Sequence, residues 1–144
     1  MKGFTLIEFF LIIIIIFFIS VPILFFVLNF YKNQQLQAYT HQILKDLRRA
    51  QFKAMAGEGG AKFGVYITND NYTLFRGDSY DMRDDQYDEV FDLPQIITIQ
   101  DSPKEAVFSE LKGEPSYIGN IIISSDSLTQ TINISEIGLI GLKP

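Results

Sequence analysis

The chain has 144 residues, 47% apolar, 14% aromatic and 20% charged, with no cysteine. That length holds one domain with an appendage and excludes a large multidomain enzyme, and the mixture is too apolar for a disordered chain. Without cysteine there is no disulfide framework, thiol catalysis or cysteine-ligated metal, and 12 basic against 17 acidic residues, net −5, disfavours a general nucleic-acid binder.

The first thirty residues carry almost no charge: Lys2 and Glu8 stand at the start, and between Phe9 and Leu28 only Ser20 and Pro22 interrupt the apolar run. Twenty apolar residues in a helix reach about 30 Å, the thickness of a bilayer's hydrocarbon core. A core helix of a small soluble domain would not be apolar on every face for five turns, so the segment predicts a membrane span. A cleaved secretory signal would have a shorter apolar region ending at a small-x-small site, which Phe25 to Tyr31 does not offer. Pro22 cannot donate to the Phe18 carbonyl and predicts a break in the helix there. Glu8 is costly beside so apolar a run, and the chemistry alone leaves two readings open, a carboxylate at headgroup level or a functional one. Lys2 alone precedes the span, whereas Lys32, Lys45, Arg48, Arg49 and Lys53 follow it, so the positive-inside count would place the amino terminus outside.

Residues 31–56 change character without a helix stop. Leu36, Thr40, Ile43, Leu47, Ala50 and Ala54 recur at spacings of three and four, which predicts one buried face of an amphipathic stem whose second half covers a core. Gly57, with Gly59 and Gly60 behind it, supplies the stop. From Lys62 the period becomes two. Phe63–Ile67 and Tyr72–Phe75 flank Asn69-Asp70-Asn71 as a hairpin. Further strands are expected at 96–99, 106–108, 118–124, 130–134 and 137–140. The domain reading is therefore 1–3 as a leader, 4–30 as the span, 31–56 as the stem and 57–144 as a β-rich head. The fold class is α+β: a long amino-terminal helix packed on a small antiparallel sheet or sandwich. Residues 31–56 carry net +4 and residues 57–144 net −9, opposite fields that suit head-to-stem contacts between copies.

Asp78, Asp81, Asp84, Asp85 and Asp88 form the densest acidic run. Its spacing does not fit an EF-hand loop and it lacks the required glycine, so a solvated, mobile loop is expected over a calcium site. His41 is a lone histidine on the stem and is read as polar surface rather than a metal ligand. No Ser-His-Asp set, phosphate loop or acid pair appears, and neither enzyme activity nor a cofactor is expected.

Gly3-Phe4-Thr5-Leu6-Ile7-Glu8, after a short basic leader and before the apolar run, resembles residue for residue the class III signal of type IV pilins and type II secretion pseudopilins. Leu47 to Ala54, and the all-strand remainder ending in Ile137-Gly138-Leu139-Ile140, are similar to the FimT/GspH-type minor pilins and pseudopilins. The resemblance implies cleavage after Gly3 by a prepilin peptidase, N-methylation of Phe4, and pairing of Glu8 with a neighbouring subunit's amine. It also implies assembly with other pilin-like subunits on an inner-membrane platform. The chain would be a single-pass protein held in lipid before assembly, head outward, and then part of a periplasmic pseudopilus or an extracellular pilus. That orientation opposes the charge count. Two other readings stay open: a tip-located binding module for DNA, a secreted substrate or a surface, and a membrane-anchored protein outside the family. The head's negative charge argues against a broad phosphate-binding face, though a local nucleic-acid patch is left open.

Overall fold

The structure, a computed structural model, describes residues 5–100, 103–126 and 128–143. It forms two compact units, Met1–Gln34 and Gln35–Pro144. Helix α1 (Leu6–Met55) crosses from one to the other. The second unit thus holds the stem part of the helix together with the strands, the packing of stem on head that the amphipathic stripe predicts. The apolar stripe of the stem can only be hidden against the strands, so residues 35–55 belong to the same compact body as the sheets.

In the first unit the helix is continuous through Pro22, where the sequence predicted a break. A proline forfeits one backbone hydrogen bond, and the apolar turns on either side keep theirs. Two positions earlier, the Ser20 hydroxyl donates to the Ile16 carbonyl at 2.7 Å. Every described residue of this unit before Lys32 is exposed.

In the second unit the helix buries Leu36, Thr40, Ile43, Leu44, Asp46, Leu47, Ala50 and Ala54. All six positions of the expected stripe are among them. Burial begins at Leu36, a turn into the stem, rather than in its second half. The helix ends where Gly57 takes φ 64°, a left-handed conformation that any side chain would strain, and a short 3-10 turn at Glu58–Gly60 leads to the strands.

Eight strands follow: β1 (Phe63–Ile67), β2 (Asn71–Arg76), β3 (Glu89–Asp92), β4 (Thr98–Gln100), β5 (Glu105–Phe108), β6 (Gly119–Ser125), β7 (Leu128–Ile134) and β8 (Ile140–Lys143). They make two antiparallel four-stranded sheets, in the orders β3-β2-β1-β5 and β4-β6-β7-β8. Inward residues of both sheets share one core with the helix: Phe63, Val65, Tyr72 and Leu74 from the first, Ile121, Ile123, Ile132 and Ile134 from the second.

Three strand expectations change. Strand β3 follows the acidic run, where no strand was expected; it is an edge strand whose only apolar residues are Val90 and Phe91. The strand expected at 96–99 starts at Thr98, because the Ile97 amide closes a turn onto the Pro94 carbonyl at 2.8 Å. The last strand runs Ile140–Lys143 rather than 137–140. The Gly138 amide bonds the Ser135 carbonyl and the Ser135 amide the Leu139 carbonyl, each at 2.9 Å, so this apolar stretch is a turn that leaves Ile137 and Leu139 outside.

Candidate functional site

The residues singled out in the sequence fall in two places. At the amino terminus, Gly3 and Phe4 lie outside the described residues. Glu8 stands in the first turn of α1, its amide bonded to the Thr5 carbonyl at 3.1 Å and its side chain exposed. A carboxylate is favoured at a helix amino terminus by the unpaired N–H groups there. Beyond it the helix presents Phe9, Phe10, Leu11 and Ile12 to Leu28 on all sides, unburied. Hiding one such side chain from water is worth about 1.5–3 kcal/mol, so the segment as a whole stands to gain on the order of tens of kcal/mol from a cover. Among the described residues this is one helix long and apolar enough to cross a membrane.

In the second unit the helix is tied to four separate segments by polar side chains. The buried Asp46 accepts a hydrogen bond from the Tyr72 hydroxyl at 2.7 Å. Burial, followed by that bond, drives the Tyr72 phenol well above its ordinary pKa and keeps it a donor. Arg49 grips the Glu89 carboxylate with both terminal nitrogens, at 2.7 and 2.6 Å, a bidentate pair that joins the helix to β3. That hydrogen bond is the leading cause of the upward shift of the Arg49 pKa. On the other flank the Arg48 guanidinium donates to the Ile140 carbonyl at 2.7 and 3.1 Å. The Gln51 amide donates to the carbonyls of Gly113 and Gly138, at 3.0 and 2.7 Å. None of these contacts was expected from the sequence. Asp46 alone carried a signal, lying three residues after Ile43 and four before Ala50 on the buried side of the helix.

The acidic run keeps Asp78, Asp81, Asp84 and Asp85 exposed, as a solvated segment would, while Tyr80 and Arg83 pack it onto the first sheet. Tyr66 and Phe75 lie outside the main core, and Tyr80 of the 77–88 segment packs on both. The Tyr80 ring stacks on Tyr66 at 3.8 Å and meets Phe75 edge-on at 5.7 Å. Arg83 lies over Tyr80 at 3.8 Å and bonds Asp88 at 2.6 Å, which raises its pKa. Gly64 makes room for the Phe75 ring, which a Cβ there would meet at 2.6 Å. The five aspartates do not converge. Asp78 pairs with Lys62 at 2.9 Å, Asp84 bonds the Gln86 amide, Asp88 holds Arg83, and Asp81 and Asp85 are exposed. Among the described residues no group of three or more histidine or acidic side chains could hold a metal ion. His41 is exposed on the helix.

The clefts of this unit are open to solvent. One of about 290 Å³ beside β5 contains Lys62, Asp78, Glu105 and Glu114. There Lys62 pairs with Asp78 at 2.9 Å and Glu105 accepts from the Tyr80 amide at 2.8 Å, while Glu114 lies 3.7 Å from Lys112. Compared with protein-family models, curated proteins and solved structures, the chain has no match.

Proposed function

We propose that the chain is a non-catalytic structural subunit of a pilus or pseudopilus, a minor pilin or pseudopilin assembled through its amino-terminal helix. One observation carries this reading. An uncovered apolar helix begins within Gly3-Phe4-Thr5-Leu6-Ile7-Glu8, with a single acid in its first turn. Lipid covers such a helix before assembly, and the helices of neighbouring subunits cover it afterwards. The head then sits outside the inner membrane. In the precursor the Phe4 nitrogen is an amide. Cleavage after Gly3 makes it an amine that carries a positive charge, the partner a carboxylate in low dielectric requires. The pair sets the rise of one helix past the next, while apolar contact supplies most of the affinity. The stem helix, clamped to both sheets, passes force and position from the filament core to the head.

Mass spectrometry of the protein from its native membrane tests the reading. The expected product has lost Met1–Gly3 and gained one methyl group on Phe4, and Gly3→Val blocks both changes. An intact Met1 in cells with an active prepilin peptidase would falsify the proposal.

A further inference from the structure

We propose that the outward face of the helix in the second unit is a docking surface for the acidic outer side of the first sheet on another copy of this chain. Ala38, His41, Lys45, Arg48, Phe52 and Met55 follow one another at spacings of three and four, and all are exposed. Phe52 is 71% exposed on this face. It does not stand alone. With Met55 and Leu139 it lines an open cleft of about 330 Å³ floored by Arg48 and Gln51. The polar groups of that floor are already bonded to the carbonyls of Gly113, Gly138 and Ile140, so the cleft offers an incoming side chain apolar contact. Lys45, one turn before Arg48, makes no salt bridge among the described residues.

Charge selects the occupant. The stem segment 31–56 carries net +4 and the remainder from residue 57 net −9. The complementary surface mixes the same two chemistries with opposite sign. The 81–87 turn sets Met82, 78% exposed, among the exposed carboxylates of Asp81, Asp84 and Asp85. A flexible thioether fits an aromatic and aliphatic cleft, and the surrounding acids meet Lys45, His41 and Arg48. The two surfaces cannot be the same patch. The helix covers the face of the first sheet that carries Phe63, Val65 and Leu74, whereas the 77–88 segment covers the face that carries Tyr66 and Phe75. Contact between them is therefore heterologous. Each copy keeps one unused surface at either side, and association continues from copy to copy instead of closing as a dimer. This contact uses neither Phe4 nor Glu8 and stands apart from the reading of the amino-terminal motif.

The chain has no cysteine, so two differently tagged full-length copies can be co-expressed, one with Phe52→Cys and one with Met82→Cys, and oxidised in the membrane. A disulfide-linked heterodimer is expected. Replacing Met82→Cys by Thr129→Cys, exposed on β7, should lower the yield at least about fivefold, as should Lys45→Glu in the first copy, and Asp81→Lys in the second copy should restore it. High salt should weaken the link, because the charges are exposed. The heterodimer should persist in the unprocessed Gly3→Val chain. A dominant Phe52→Cys homodimer, equal yields with Thr129→Cys, or indifference to Lys45→Glu would each overturn the docking surface. Cross-linking of copies with the native leader that stays uncleaved in cells with an active prepilin peptidase would leave it standing and remove the pilin reading instead.

Discussion

Asp46 is an acidic side chain on the buried face of the helix that accepts a hydrogen bond from the Tyr72 phenol. Removing one partner of such a pair leaves the other buried with unmet hydrogen bonds. Tyr72→Phe should therefore destabilise the protein by about 1–3 kcal/mol near neutral pH, measured by urea denaturation. The pair also makes a prediction about alkaline conditions. The folded state holds the Tyr72 proton above the phenol's ordinary value of 10.0. Above that pH the folded chain binds one more proton than the unfolded chain, so stability falls as pH rises. Below it the contribution of Tyr72 is constant. Melting temperatures followed from about pH 8 to about pH 11 should decline more steeply in the wild type than in Tyr72→Phe. Parallel curves would mean that the phenol does not titrate with folding.

At the scale of elements, the helix completes a core that the sheets alone cannot close. Leu36, Ile43, Leu44 and Leu47 are buried against both sheets. At about 1.5–3 kcal/mol each, they contribute roughly 6–12 kcal/mol, comparable with the whole stability of a small domain. A chain beginning at Tyr31 should be soluble and monomeric when dilute, with one helical component and a strand-rich remainder by circular dichroism. A chain beginning at Gly57 loses the helix and its clasps on Tyr72, Glu89 and Ile140, uncovers Val65, Leu74 and Ile132, and should aggregate. Size-exclusion chromatography separates the outcomes, and equal solubility of the two chains would show that the helix is not part of the core. The edges bear on the same point. Strand β3 ends in Glu89 and Asp92 and β8 in Lys143, charges that discourage further pairing.

For the whole molecule, the decisive contrast is between a first unit apolar on every face and a second unit that carries the charge. In low dielectric an ion pair is stronger than in water, although dehydration offsets much of the gain. On the proposed reading, Glu8→Leu should leave the chain in the membrane, because a carboxylate costly in lipid is gone. Cleavage after Gly3 should continue. Assembly should fall sharply, read as the ratio of filament-associated to membrane-resident protein at matched expression. An unchanged ratio would remove Glu8 from assembly or place the chain at a filament tip, where no subunit lies above to pair with it.

The sequence by itself determined the features that depend on periodicity over neighbouring residues. An unbroken apolar run sets a helix long enough to span a bilayer. The spacing of Leu36, Thr40, Ile43, Leu47, Ala50 and Ala54 sets its buried face, Gly57 its end, and the alternation of Phe63, Val65 and Ile67 the first strand of the hairpin. Only the tertiary structure decided what depends on partners far along the chain. Arg49 reaches Glu89 forty residues away, Arg48 reaches Ile140 ninety-two away, and no local pattern encodes either. Strand β3 exists because β2 offers it a ladder, not because Glu89-Val90-Phe91-Asp92 favours a strand alone. Ile137 and Leu139 read as strand from their apolarity, and two turn hydrogen bonds placed them outside. The acidic segment is held by Tyr80 stacked on Tyr66 and edge-on to Phe75, a fit between side chains brought together only on folding. Local propensity is a matter of tenths of a kcal/mol per residue, and a buried contact of one or more, so where the two conflict the contact prevails.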